Sequence, residues 1–316
     1  MNNFFGHVCF GMRFIFLLGF FCMIAPTCMG ASPRVVVSLA PLKSLVDDLM
    51  TGIGTSSLLV QEENSGHDFR LRPSHLRYLE KADLVVWIGP DMEGFLVPFA
   101  RHSPHKMFTI TQIEGIEPLP QRHVCHHHDT SRPHSHHDAV DPHVWLSINN
   151  MKHFVKALSL SLQERDAAHH HQYKKNEEEL LQKLSNLQED ITKTLSPHKE
   201  KPFFVFHDSY QYFENEYGLG PSHHLVLDPE QGLSLKRLRE LKEQTEESPG
   251  ACLIADASIG KGRIEKMAAT LGLKATLVDP LGFDRRSKRP RSYEQTLMAL
   301  AKNFQACLSP SAPQLP

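Results

Sequence analysis

The stretch from His123 to Trp145 is crowded with a metal-binding residue type. Eight of its 23 positions are histidine, and the whole chain holds 21 histidines among 316 residues. Neutral imidazole is the commonest protein ligand for zinc and related ions, so the composition favours a metal-binding function. Residues 122–138 show no apolar periodicity, and we predict a loop there that binds zinc weakly, as a secondary site. The histidines of this predicted loop are His123, His126, His127, His128, His134, His136 and His137.

Three other histidines and one aspartate stand at positions suited to a fixed site. His207 ends the apolar run FFVFH, and Asp279 ends the run ATLVD. His67 lies in a loop after an apolar run, and His143 lies in DPHVW, where the chain returns from the histidine-rich loop. Because open α/β sheets bind ligands beyond the carboxyl ends of their strands, two facing sheets would bring these side chains together. The candidates for hydrogen bonds that fix the imidazole tautomers are the adjoining Asp68, Asp141 and Asp208.

Short apolar runs alternate with amphipathic segments over the rest of the chain, which indicates parallel βαβ units. We predict an α/β fold of two βαβ-type lobes, each a mainly parallel sheet flanked by helices, with long helices between the lobes. Apolar residues at three- and four-residue spacings predict the clearest helices at about Ile148–Arg165, Gln172–Leu195 and Lys261–Leu271. The predicted organisation is a signal peptide (1–30), an N-terminal lobe (32–147), linking helices (148–197), a C-terminal lobe (198–310) and a disordered tail (311–316).

The net charge and the N-terminal segment indicate the cellular compartment in which the protein acts. The chain has 34 basic and 36 acidic residues, and a net charge of -2 provides no field for binding nucleic acid or an anionic membrane. Arg13 precedes an apolar run from Phe14 to Ala25 with small residues after it, which is typical of a secretory signal peptide. A membrane anchor is the alternative, but the run is shorter than the roughly 20 apolar residues that a spanning helix needs. We therefore expect a soluble exported protein.

Three cysteines remain once such a signal is removed: Cys125, Cys252 and Cys307. Two of them can form a disulfide in an oxidising compartment. We favour Cys252 with Cys307, because that bridge would tie the last helix to a core strand, although the sequence leaves the connectivity open. Cys125 lies among the histidines, either as an additional soft ligand or unpaired.

Four segments of the chain resemble, in order, the signatures of the metal-binding proteins that serve cluster A-I ABC importers, and in particular the periplasmic zinc components of the ZnuA type. They are GHDFRLRPSHLRYLEKADLVVWIGPDMEGFL, DPHVWLS, VFHDSYQYFENEYGL and LVDPLG. The resemblance covers nearly all of the chain after the predicted signal. It implies two lobes joined by a long rigid helix, a metal in the cleft between the lobes, and a disulfide matching the Cys252–Cys307 pair.

The same resemblance implies a set of metal ligands. The three motif histidines correspond to His67, His143 and His207, and an aspartate that completes the site in many members corresponds to Asp279. Manganese-binding members typically have glutamate in place of the third histidine, so His207 favours zinc. Water or another carboxylate is the alternative fourth ligand. Some zinc members carry glutamate directly before the first histidine, where this chain has Gly66.

Together these patterns predict what the protein does. We expect it to capture Zn²⁺ in the periplasm and pass it to the membrane permease of a zinc ABC importer, as a monomer and not as an enzyme. The alternatives are a zinc buffer or metallochaperone, a manganese-type member of the same family, and a metal-dependent hydrolase. The hydrolase is disfavoured because the chain has neither H-E-x-x-H nor H-x-E with P-C-x-x-C. The histidine clusters at 169–171 and 223–224 are interpreted as solvent-facing.

Overall fold

The computed structural model describes residues 32–60, 69–122, 140–226, 233–284, 287 and 289–309. Several features predicted above lie outside the described residues: the signal peptide, His67, Asp68, the seven loop histidines, Cys125 and the tail. Among the helices within the described ranges, none combines the length and apolar character needed to cross a bilayer.

The first lobe is built on a parallel sheet of four strands. These are β1 (Val35–Val37), β2 (Ser57–Leu58), β3 (Leu84–Trp87) and β4 (Met107–Thr109). Their order is β2-β1-β3-β4, so all four carboxyl ends lie at one edge. β1 and β3 are buried along their whole length, as parallel strands covered on both faces require. The helices of this lobe are α1 (Ala40–Leu49), α2 (Pro73–Lys81) and α3 (Val97–His102).

A buried carboxyl group holds the ends of β1 and β3 together. Glu93 is fully buried and accepts hydrogen bonds from the Ser38 hydroxyl and from the backbone N–H groups of Ile88 (3.2 Å) and Gly89 (3.0 Å). Burial raises the pKa of Glu93 to about 7, against the effect of these donors. The contact fixes the carboxyl edge of the first sheet.

Two long helices follow the first lobe, α4 (Ile148–Arg165) and α5 (His170–Leu195). The bounds of α4 agree with those predicted, and α5 begins two residues earlier than predicted. The Asn176 side-chain amide of α5 donates hydrogen bonds to the carbonyl oxygens of Leu49 (2.8 Å) and Thr51 (2.9 Å), at the end of α1. The buried stripe of α5 has helical spacing and includes Leu180, Leu184, Leu187 and Ile191.

The second lobe repeats the architecture of the first. Its strands are β5 (Phe203–His207), β6 (Ser222–Val226), β7 (Cys252–Asp256) and β8 (Lys274–Val278). They form a parallel sheet in the order β6-β5-β7-β8, and β9 (Phe283–Asp284) pairs antiparallel with β10 (Arg289–Pro290). The helices are α6 (Gln211–Tyr217), α7 (Leu235–Glu247), α8 (Lys261–Leu271) and α9 (Tyr293–Leu308). The predicted fold of two parallel, helix-flanked sheets is confirmed.

One apolar core extends through both lobes and the helices between them. Its buried members include Val37 of β1, Phe154 of α4, Leu187 of α5, Val205 of β5 and Phe304 of α9. Moving one lobe far from the other would expose part of this surface to water, which is unfavourable in proportion to its area. The shared core therefore favours small relative movements of the lobes.

A disulfide joins the second sheet to the last helix. Cys252 is the first residue of β7 and Cys307 lies in the last turn of α9, with Cα atoms 5.7 Å apart. Both residues are buried. The favoured pairing of Cys252 with Cys307 is confirmed.

Candidate metal site

His207 is the last residue of β5, and the strand sequence places it there. The four preceding residues are buried and apolar, and His207 itself is 9% exposed. The chain turns at once, because the Ser209 N–H donates to the carbonyl oxygen of His207 (2.9 Å) and the Asp208 N–H donates to that of Val226 (3.2 Å). His207 thus lies at the carboxyl edge of the second sheet, where α/β sheets bind ligands.

His143 is oriented by the aspartate two residues before it. Oδ1 of Asp141 accepts the backbone N–H of His143 (3.0 Å) and lies 2.7 Å from its Nδ1. A carboxylate oxygen can only accept, so in the neutral ring Nδ1 carries the proton and Nε2 carries the lone pair. Both side chains are buried, at 7% and 4% exposure. The hydrogen bond predicted for Asp141 is present, and it selects the nitrogen that can bind a metal ion.

His143 and His207 come together although 64 residues separate them in the chain. Their ring centres are 5.3 Å apart, and the ring planes meet at 74°. Two imidazoles that bind one tetrahedral zinc ion at about 2.0–2.1 Å have ring centres roughly 5 Å apart. The pair is therefore spaced so that both rings can bind the same ion.

Trp145 connects the segment of His143 to the turn of Asp279. The indole N–H of Trp145 donates to the carbonyl oxygen of Pro280 (3.1 Å), and its own carbonyl oxygen accepts from the Tyr293 hydroxyl (2.7 Å). Oδ1 of Asp279 accepts the backbone N–H groups of Leu281 (3.1 Å) and Gly282 (2.9 Å), which closes the turn after β8. Asp279 is thereby linked through its turn to the chain that carries His143.

The surroundings of Asp279 also shift the pKa of its carboxyl group. Burial raises its pKa, and the neighbouring negative charge of Asp256 raises it further. The backbone N–H groups of the turn and the Arg291 guanidinium oppose that rise. A nearby divalent cation would favour the ionised form in the same way as these donors do.

An arginine from the end of the first lobe binds the acidic residue next to His207. Arg122 forms a two-pronged ion pair with Asp208, with Nε 3.0 Å from Oδ2 and Nη2 2.6 Å from Oδ1. Its Nη1 donates to Glu214 (2.8 Å) and to Ser222 (3.0 Å). Burial raises the pKa of both carboxyl groups, and Arg122 opposes the rise. Asp208, a predicted tautomer-fixing partner of a histidine, is thus engaged by an arginine that the sequence patterns did not single out.

The interpretation of His223 and His224 as solvent-facing is wrong for His224, whereas His223 is half-buried. The side chain of His224 is 13% exposed, and burial together with Arg237 and Arg122 lowers its pKa to about 4. His223 packs on Phe204, with ring centres 5.0 Å apart.

The interpretation of the cluster at 169–171 is largely confirmed. His170 and His171 are exposed. His169 is half-buried, and its Nδ1 lies 2.8 Å from Oδ2 of Asp166.

The structure accounts for the predicted ligands as follows. It brings His143 and His207 together, places Asp279 in the linked turn, and leaves His67 outside the described residues. Within the described ranges, no group of three or more His, Cys, Asp or Glu side chains is arranged to hold a metal ion. The contacts of Arg122, Trp145 and Tyr212 were not predicted, since their partners are distant in sequence and follow no local pattern.

Family comparison decides how this geometry is to be understood. The profile of the family described as "Zinc-uptake complex component A periplasmic" (ZnuA) matches residues 35–307. The chain belongs to this family. The match begins at β1 and ends in α9, so it spans both lobes and the helices between them.

Curated relatives are similar along almost their whole length. The high-affinity zinc uptake system protein ZnuA of Yersinia pestis is 29% identical over 293 residues, covering 88% of this chain and 92% of the relative. The protein of the same name from Brucella suis is 28% identical over 325 residues, covering 93% and 96%. The similarity therefore covers most of this ZnuA-family chain and most of each relative.

Solved structures show the same fold. A zinc-bound deletion mutant of ZnuA superimposes with a TM-score of 0.74 at 24% identity, covering 88% of this chain and 98% of that one. The periplasmic zinc-binding protein TroA from Treponema pallidum superimposes with a TM-score of 0.73 at 17% identity, covering 88% and 99%. The fold is thus shared with proteins of low sequence identity.

Proposed function

We propose that this ZnuA-family protein captures Zn²⁺ outside the cytoplasm and delivers it to the membrane permease of a zinc ABC importer. The observation that carries the proposal is the buried His143–His207 pair, with ring centres 5.3 Å apart and Asp141 on Nδ1 of His143. The family match over residues 35–307 supports the same function. The zinc ion is the cargo of the protein, and no bond of a substrate is made or broken.

The proposed ligands are His67, His143 and His207, with Asp279 or water in the fourth position. Nitrogen ligands suit zinc, whereas manganese prefers carboxylate and carbonyl oxygens. This donor set favours zinc over the manganese-type alternative. Because imidazole binds metal only when neutral, acid should weaken binding, and binding should release protons.

The histidines between residues 123 and 137 are proposed to form a weaker, exchangeable zinc site beside the main one. Serine, arginine, proline and aspartate interrupt them, which suits no single fixed geometry. A zinc buffer would need such histidines but not two lobes that share one core, so the scaffold favours capture and delivery.

Export through the segment at 1–30 and action as a monomer complete the proposal. The predicted signal places the protein on the side of the membrane where free zinc is captured before transport. The partner is the permease of the importer, which would receive the ion from the docked protein.

Metal content is the direct test of this function. We expect the intact chain to bind one equivalent of zinc tightly and further equivalents weakly. A variant lacking residues 123–138, which retains Arg122, is expected to keep the tight equivalent and lose the weak ones. Isothermal titration calorimetry of both proteins with zinc distinguishes the two classes of site. Loss of the tight equivalent in the shortened protein would contradict this division, and absence of any tight equivalent in the intact protein would contradict the proposed function.

The Asp141→Asn substitution is expected to weaken tight zinc binding by about 10- to 100-fold, the usual effect of losing a hydrogen-bond partner of a metal-binding histidine. Asparagine lacks the charge that holds the Nδ1 proton of His143 in place. Affinity is measured by competition with a chromophoric chelator. Asp166→Asn provides the matched control, since Asp166 makes the same kind of contact with His169 outside the proposed site (2.8 Å). Equal losses in the two variants would show that the effect of Asp141 is not specific.

A further inference from the structure

Side chains of the second lobe form hydrogen bonds to the chain just before and just after residues 123–139. The Tyr212 hydroxyl accepts the backbone N–H of Leu119 (3.0 Å) and donates to the carbonyl oxygen of Asp141 (2.9 Å). The Asp141 N–H in turn donates to the carbonyl oxygen of Leu119 (2.8 Å). Tyr212 belongs to α6, which begins four residues after His207. One hydroxyl group therefore joins the helix that follows His207 to the aspartate that orients His143.

Arg122 makes a second and stronger connection at the same place. Its guanidinium engages both oxygens of Asp208, at 3.0 and 2.6 Å, and reaches Glu214 at 2.8 Å. The Ser222 hydroxyl bridges Arg122 and Glu214, with 2.8 Å between Ser222 Oγ and Glu214 Oε2. The two acidic side chains are only 4% and 5% exposed, so with Arg122 in place they have little access to water. Two-pronged arginine–carboxylate pairs of this kind are strong and restrict orientation.

The ion pair between Arg122 and Asp208 lies next to a proposed zinc ligand. Asp208 directly follows His207, and its carboxyl group lies within electrostatic range of Asp141 and His143. Arg122 contacts both oxygens of this carboxylate, so the residue next to His207 is tied to the chain that comes from the first lobe.

We propose that Arg122, assisted by Tyr212, is a positioning residue for the zinc site: it fixes the separation of His143 and His207. The inference rests on the proposed function. Its physical basis is that the two histidines come from different lobes, so their spacing depends on contacts between the lobes. A site held in this way keeps the two imidazoles at the spacing that suits a tetrahedral ion, which slows zinc release.

The experiment compares variants by zinc dissociation and by the spectrum of the cobalt-substituted protein. Arg122→Gln is expected to raise the zinc dissociation rate about 10- to 100-fold, measured by stopped-flow mixing with a chromophoric chelator. It should also weaken the visible absorption of bound Co²⁺, because a changed separation of His143 and His207 moves the ion away from tetrahedral geometry. Arg122→Lys is expected to give intermediate values, since lysine keeps the charge but not the two-pronged geometry. Tyr212→Phe should raise the dissociation rate by a smaller factor.

Arg34→Gln is the matched control. It breaks a two-pronged ion pair between Arg34 and Asp83 in the first lobe. The side chain of Arg34 is 66% exposed and that of Asp83 is 45% exposed. The control variant should dissociate zinc at the wild-type rate and leave the cobalt spectrum unchanged.

The outcomes separate a positioning role from a purely structural one. If Arg122→Gln or Arg122→Lys lowers the melting temperature but leaves the cobalt spectrum and the zinc dissociation rate unchanged, the proposal is wrong. Should Arg122→Gln not fold, Arg122→Lys and Tyr212→Phe decide by the same two measurements. Failure of the wild-type protein to bind one equivalent tightly would count against the proposed function itself, whereas tight wild-type binding with unaltered variants would overturn this inference alone.

Discussion

Alanine at His143, His207 or His67 is expected to lower zinc affinity by roughly 100-fold or more. Tight protein zinc sites bind with about 10–16 kcal/mol, which is roughly 3 kcal/mol for each of four ligands. Each 1.4 kcal/mol is about a tenfold change in affinity, so one lost ligand gives about two orders of magnitude. The measurement is competition with a chromophoric chelator at fixed pH.

His171→Ala is the control for these variants, because His171 is exposed at the start of α5 and lies outside the proposed ligand set. It should bind zinc like the wild type. The decisive variant replaces all three histidines. Tight binding of one equivalent by that variant would show that the proposed ligands are wrong. It would favour the histidines between residues 123 and 137 as the ligands.

Removal of the Cys252–Cys307 disulfide is expected to lower the free energy of unfolding by about 4 kcal/mol. The two cysteines are 55 residues apart in the chain, and a cross-link of that span restricts the unfolded chain by about this amount. The bridge also fastens α9 to β7, and α9 contributes Phe304 to the shared core. The measurement is urea unfolding of the zinc-free protein, wild type against the Cys252→Ser/Cys307→Ser double variant.

Cys125→Ser is the control for this comparison, because Cys125 is not part of the bridge. Its unfolding midpoint should equal that of the wild type. Zinc is kept out of the samples, since an ion that binds only the folded state would add its own stabilisation. An unfolding midpoint that does not change in the double variant would contradict the prediction.

Long periodic segments were predicted most accurately. The bounds of α4 and α8 agree with the pattern, because three or more turns of apolar residues on one face define a helix without reference to the rest of the fold. Short strands were less well defined. The run MFTITQ has the apolar and β-branched residues of a strand over its whole length, but β4 stops at Thr109 and a 3-10 turn follows over Ile110–Gln112. In that turn the Thr111 N–H donates to the carbonyl oxygen of Ile88, a residue outside the run.

Within the candidate site, local sequence indicated single residues but not their partners. A histidine that ends a buried strand and a histidine in a turn after Asp-Pro were both recognisable. A separation of 64 residues carries no short-range signal, so joining them depended on the predicted facing sheets and on the resemblance to metal-binding proteins. For His224, in contrast, local sequence did not indicate the environment of the side chain. Its place in a strand next to another histidine gave no sign that burial and two arginines would lower its pKa to about 4.

The sequence by itself determined the order of strands and helices, the supply of imidazole ligands and the family to which the chain belongs. These depend on residue type and on spacings of a few positions. The tertiary structure alone decided that Arg122 meets Asp208 and Glu214, that Trp145 meets Pro280, and that Tyr212 meets Asp141. These partners are 86, 92, 135 and 71 residues apart, so the charge balance and spacing of the site arise only when the two lobes pack on one core.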